Sequence, residues 1–193
     1  MASCPCRAGL GRCWVGRAEE MQKYAVAYKD PAYRMGQRRK VAATQVLEGL
    51  TGSLLDVGCG RGEVLAMAEA QGMTVQGVEV VPALLKPPRV IYGEAWALPF
   101  PDKSFDHVTM MDVMEHLLAE DSERVCRELQ RVARQTVILA VANGSSRLNG
   151  VELHINRRPY REWDIDFRRW FTGEVSWTPT RGAAISETWV IRC

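Results

Sequence analysis

No stretch of the chain approaches the ~20 consecutive apolar residues a membrane-spanning helix needs, so a spanning protein is excluded and no membrane partner is implied. Residues 1 to 20 lack the apolar segment of a secretory signal. Charge of one sign is scarce as well: 25 Lys and Arg face 23 Asp and Glu, a formal net charge of +2, which gives no support to a strongly electrostatic nucleic-acid binder. The first fifty residues are nonetheless basic, with Arg38-Arg39-Lys40 as their densest run, and the rest is slightly acidic. There is no internal repeat, no low-complexity tract and no second domain. The six cysteines form no disulfide framework, because a cytosolic chain keeps its thiols reduced. Cys4, Cys6 and Cys13 crowd the N-terminus, yet no fourth zinc ligand lies near them. Residues 1–20 are therefore expected to be a flexible leader, with Met21 a candidate working start, ahead of a single domain over 21–193.

What is present is an alternation of helical and strand patterns. Helices are expected over 18–27, 38–50, 62–71, 121–133 and 159–171. Strands are expected over 53–57, 74–80, 90–92, 105–111, 136–141, 174–177 and 184–191. Pro82, Pro87 and Pro88 leave room for only a stub of helix after the second strand. The pattern predicts an α/β fold: a Rossmann-like, seven-stranded, mainly parallel sheet with helices on both faces and no inserted domain. Ligands of such sheets bind beyond the carboxyl ends of the strands, where the strand order reverses.

The strongest local signal is Leu54-Leu55-Asp56-Val57-Gly58-Cys59-Gly60-Arg61-Gly62-Glu63, a buried strand running through a glycine-rich turn into a helix. Glycines at 58 and 60 allow close approach of a ligand to backbone, and the helix start offers unpaired N–H groups. Asp56 would repel a phosphate but accept hydrogen bonds from an amino-bearing cofactor. Glu79 ends the second strand, where an acid binds a ribose diol.

These residues, with VQGVEV, YGEAWALPFPDKSFDHV and MMDVMEHL, resemble the class I S-adenosylmethionine (SAM)-dependent methyltransferases, in particular the methyltransferase-11-type group. The resemblance covers roughly residues 28 to 191. It implies that Asp56, Gly58 and Gly60 line the methionine part of SAM and that Glu79 holds the ribose hydroxyls. Glu94, Ala95 and Trp96 would border the adenine, with Glu94 where relatives usually have Asp. Asp112 and Val113 would lie beside the sulfonium. Tyr28, Tyr33 and Arg34 fall in an upstream segment that often covers the cofactor, and Arg34 is a candidate partner for its carboxylate. The chain departs from its relatives in Val132-Ala133-Arg134-Gln135, where they commonly read Leu-Lys-Pro-Gly-Gly, and in the near deletion of the helix after the second strand.

A second constellation is Asp112-x-x-Glu115-His116 with the later His154. Residues 112 and 115 or 116 are one helical turn apart, so two carboxylates and one or two imidazoles can converge on Mg²⁺ or another divalent metal. The arrangement is similar to the Glu-x-x-Glu-His of ubiquinone-pathway O-methyltransferases and to the methyltransferases of RNA 3′-terminal ribose. Asp112, His116 and His154 are thus the candidate catalytic residues, either as metal ligands or with His116 or His154 as a metal-free general base. Arg157, Arg158, Arg161, Arg168 and Arg169, interleaved with Trp163, Trp170 and Phe171, could contact nucleic acid, but a solvated arginine face over a buried aromatic stripe explains them equally well. The expected reaction is in-line transfer of the SAM methyl to an acceptor oxygen, with nitrogen the less favoured alternative. The acceptor is a small molecule, or alternatively RNA or protein. A third reading is a SAM-binding partner subunit without activity of its own.

Overall fold

A buried central strand organises the molecule. In the computed structural model, which describes residues 11–30, 33, 35–177 and 186–193, β1 (Ser53–Val57) is inaccessible along almost its whole length. Its apolar run leaves no polar face, as expected of a strand covered on both sides. Leu54 points to one side, among Leu47, Val64 and Leu65; Leu55 and Val57 point to the other, among Val108, Leu129 and Phe167.

Around it, β2 (Thr74–Glu79), β3 (Val90–Tyr92), β4 (Phe105–Met111) and β5 (Ala133–Ala142) run parallel. Two short strands, β6 (Arg147–Leu148) and β7 (Val151–Glu152), form a separate hairpin. The sheet is completed by β8 (Glu174–Trp177) and by β9 (Ser186–Arg192), which is antiparallel to both β5 and β8. The strand order is β3-β2-β1-β4-β5-β9-β8, a seven-stranded, mostly parallel α/β sheet of the Rossmann-like kind. The chain leaves β1 toward β2 and later returns to β1's other side as β4, so the reversal of order falls between β1 and β4.

Helices α2 (Gln37–Leu47) and α3 (Glu63–Ala70) cover one face; α4 (Ser122–Val132) and α5 (Tyr160–Trp170) cover the other. After β2 only a single turn, Pro82–Leu84, takes the place of a helix. Helix α1 (Gly11–Ala27) begins inside the stretch expected to be a leader and continues through Met21 without a break. It is tied down: the Arg17 guanidinium grips the Asp121 carboxylate through two nitrogens, one of them at 2.8 Å. Cys4 and Cys6 lie outside the described residues. No helix among the described residues is long and apolar enough to cross a membrane.

Part of the arginine-aromatic segment is engaged within the fold. Trp163 and Phe167 are wholly buried, while Arg158 pairs with Asp166 and Arg168 with Asp164.

Candidate active site

The cleft opens at the carboxyl ends of β1, β2 and β4, where the topology places it. On the cofactor wall, the chain leaves β1 through Gly58 and Gly60, at φ of 71° and 53°. Only glycine enters this region without strain, and space forbids a side chain as well. A Cβ on Gly58 would lie 2.6 Å from the Val113 side chain, and one on Gly60 would lie 2.5 Å from the Tyr28 hydroxyl. The Glu79 carboxylate is fixed by backbone donors: the N–H of Gly60 at 2.8 Å on one oxygen, and those of Val80 and Val81 at 2.8 and 3.1 Å on the other. Glu79, Ala95 and Trp96 all line the cleft. A glycine cradle, a fixed acid at the end of β2 and a flat aromatic wall together fit SAM.

Two of the expected cofactor residues stand elsewhere. Asp56 lies beneath the cleft wall, buried, with the Thr109 hydroxyl donating to it at 2.8 Å. Burial pushes its carboxyl up to about 7, with the Thr109 hydrogen bond opposing. It therefore supports the turn from behind instead of facing the ligand. Glu94 is also off the wall, accepting a hydrogen bond from the Tyr92 hydroxyl at 3.0 Å; Gly93 lines the cleft in its place. Arg34 lies outside the described residues.

The other wall is built from side chains. Glu115, His116 and His154 each offer a ligand atom, and these atoms lie within 4.8 Å of one another. The imidazoles of His116 and His154 meet edge-on, with centroids 4.6 Å apart. Glu115 is completely buried; one carboxylate oxygen accepts the Ala142 N–H at 3.1 Å and the other has no hydrogen-bond partner. An orphaned carboxylate oxygen beside two imidazoles is a donor set that suits a divalent cation. Burial, reinforced by Asp112, raises Glu115 to about 8, and burial lowers His116 to about 3. His154 is also lowered by burial.

Asp112 does not join this group. It follows β4 at φ 53°, a conformation rare outside glycine, and its carboxylate pairs with Arg39 of α2 at 2.9 Å. The four-residue metal set expected from the sequence spacing is thus a three-residue set, because the backbone leaves β4 through a left-handed residue and a short 3₁₀ turn (Met114–His116), not through an α-helix.

Helix α1 closes the cleft from above. Arg17, Glu20, Met21, Tyr24 and Tyr28 line it. Their spacing of three or four residues places them on one helical face. Arg17 stacks over Trp96, with its guanidinium carbon 4.6 Å from the ring centroid. Tyr28 reaches Gly60, and Arg61 holds the turn after α1 by donating to the carbonyls of Tyr28, Asp30 and Tyr33. Burial raises the phenols of Tyr24 and Tyr28, keeping both protonated. Sequence reasoning found the helix but not its face; the recurrence of Met21, Tyr24 and Tyr28 was the available signal. Arg39 had none.

A family model described as a methyltransferase domain matches residues 55–141. Methyltransferase GfsG of Streptomyces halstedii is 33% identical over 129 residues, covering 59% of this chain and 46% of that protein. The 2-methyl-6-phytyl-1,4-hydroquinone methyltransferase of a Synechocystis species is 33% identical over 128 residues, covering 58% of this chain and 40% of its own. The chain thus spans less than half the length of these curated relatives. In fold it is similar to 1,6-didemethyltoxoflavin-N1-methyltransferase of Burkholderia thailandensis, solved with its substrate and S-adenosylhomocysteine (TM-score 0.68, 17% identity, 99% of this chain and 92% of that one). Residues 55–141 thus match a methyltransferase domain, and the sheet with its cleft at the switch point is similar in fold to a solved SAM-dependent methyltransferase.

Proposed function

We propose that the protein transfers the methyl group of SAM to a hydroxyl of a small-molecule acceptor, with a divalent cation held by Glu115, His116 and His154. The observation that carries this is the buried, partnerless oxygen of Glu115 beside two imidazoles that line the SAM cleft. Gly58, Gly60, Glu79, Ala95 and Trp96 would hold the cofactor. Bound SAM brings its own leaving group, so the S–C bond breaks as the O–C bond forms, and the protein chiefly supplies proximity and orientation. The cation would supply Lewis acidity, lowering the pKa of a hydroxyl placed next to it. An imidazole held at about 3 is a poor base near neutral pH. His116 therefore suits a neutral ligand better than a general base, and His154 is the base of the metal-free alternative. A small acceptor is supported by α1, which roofs the cleft, and by relatives named for a hydroquinone and for didemethyltoxoflavin. A reducing, cytoplasmic setting belongs to the same reading, since Cys59 and Cys126 are buried free thiols.

The test is transfer of labelled methyl from SAM into a lysate of the source organism, scored as acid-precipitable against soluble counts, before and after chelation. Soluble label that disappears on chelation and returns with Mg²⁺ or another divalent ion is the expected result. Equal transfer after chelation removes the cation and leaves His154 as base. Label precipitated and released by nuclease or protease would make the acceptor RNA or protein. No label at all would favour a SAM-binding partner subunit.

A further inference from the structure

Helix α1 touches the Glu115–His116–His154 cluster at one point. The hydroxyl of Tyr24 is hydrogen-bonded to His116 Nδ1 and lies 3.1 Å from the carbonyl oxygen of Leu153. The same Nδ1 lies 3.0 Å from that carbonyl. A carbonyl oxygen can only accept, so both groups facing it carry hydrogens. Tyr24 donates its O–H to Leu153, and the ring proton of His116 sits on Nδ1, shared between the Leu153 carbonyl and the phenol oxygen. The lone pair of His116 is then on Nε2. His154 repeats the arrangement without a tyrosine: its Nδ1 faces the carbonyl of Gly144 at 2.6 Å, which leaves Nε2 available there too. The Tyr24 ring also packs edge-on against His116, with centroids 5.0 Å apart, so rotation of the imidazole would clash with it.

We infer that Tyr24 is the positioning residue of His116: from a helix that precedes the matched methyltransferase segment, its ring and hydroxyl hold the imidazole in the orientation that keeps Nδ1–H on the Leu153 carbonyl and leaves Nε2 free. The inference rests on the proposed role of the cluster for its purpose, but not for its geometry. Partners of this kind behind a ligating histidine commonly change metal affinity ~10–100-fold when removed. Tyr24→Phe deletes the hydroxyl and keeps the packing ring, which separates positioning from folding.

The experiment uses the full chain and two readouts. Long-range proton–nitrogen correlation spectra, with His116 assigned through His116→Gln, report which ring nitrogen is protonated whether or not a metal binds. The Nδ1–H form is expected in the parent protein and a mixture of tautomers in Tyr24→Phe. Titration with Co²⁺ alone, followed by its visible absorption, should show affinity lowered ~10-fold or more in Tyr24→Phe. An Nε2–H tautomer in the parent, or spectra identical in Tyr24→Phe, overturns the inference. A parent protein that binds no Co²⁺ but shows the expected tautomer shift overturns the metal reading and upholds the role of Tyr24.

Discussion

The wall of the cleft proposed for the cofactor is shaped chiefly by backbone, and the wall proposed for the acceptor by side chains. On the first, the Glu79 charge is met by three N–H groups that need no side-chain partner, and the space for the ligand exists because two residues lack a Cβ. On the second, polarity is held in desolvated, neutral groups: burial raises Glu115 to about 8 and lowers His116 to about 3. The first wall is complete before a ligand arrives. The second is balanced only by keeping its charges off, and it carries an unsatisfied oxygen. Binding of a ligand common to many enzymes can be delegated to backbone; recognition of a particular acceptor needs groups that change state when it binds.

If that division holds, damage to each wall should show in a different measurement. The largest effect is expected from Glu115→Gln, which replaces one carboxyl oxygen of the cluster with an amide that cannot ionise to hold a cation, at nearly constant volume. Turnover should fall ~10²-fold or more, since a Lewis-acid cation supplies several kcal/mol of transition-state stabilisation. SAM affinity by calorimetry should be unchanged. A matching loss of SAM affinity would show that the walls are not separable. Next comes Gly60→Val, which requires a β-branched residue at φ 53° with its Cβ 2.5 Å from the Tyr28 hydroxyl. Left-handed backbone alone costs roughly 1–2 kcal/mol, and displacing Tyr28 adds to it. SAM affinity should drop ~100-fold, since every 1.4 kcal/mol is about tenfold, while Co²⁺ binding at the cluster should persist.

How far each wall can be read from sequence follows from the same contrast. The strands Ser53–Val57, Val90–Tyr92 and Phe105–Met111 match their patterns residue for residue, because each has an apolar core and ends at a glycine or a charged residue. Gly58, Gly60 and Glu79 are legible because a backbone motif is contiguous by necessity. The N-terminus of β5 is not: Arg134 and Gln135 are exposed there, so the strand extends from Ala133 without an apolar signature. Asp112 illustrates the harder failure. Spacing assigns it to the metal cluster, but one left-handed residue turns its carboxylate to Arg39 on another helix. The Tyr24–His116 contact joins residues 92 positions apart, and nothing local to either announces the other.

Asp56 tests the contrast from the opposite side, because it is a buried acid under the backbone-built wall. Its carboxyl is raised to about 7 from an ordinary 3.8, first by burial, with Thr109 opposing and the charges of Glu79 and Glu63 adding to the rise. Between those two values the folded chain holds a proton that the unfolded chain has released. The contribution of Asp56 to stability is therefore full below the unfolded value and declines as pH rises through the folded one. Asp56→Asn can still accept from Thr109 and has no proton to lose. Its unfolding free energy should gain on the parent by about 1 kcal/mol between roughly pH 6 and pH 8, measured by urea denaturation at each pH. Glu115 titrates in both proteins over that range and cancels in the difference, to the extent that the two sites are independent. A difference that is flat with pH would mean that Asp56 is already ionised in the folded chain. The wall that already holds the Glu79 carboxylate would then carry a second buried charge, and the contrast between the walls would lie in which charges are paired.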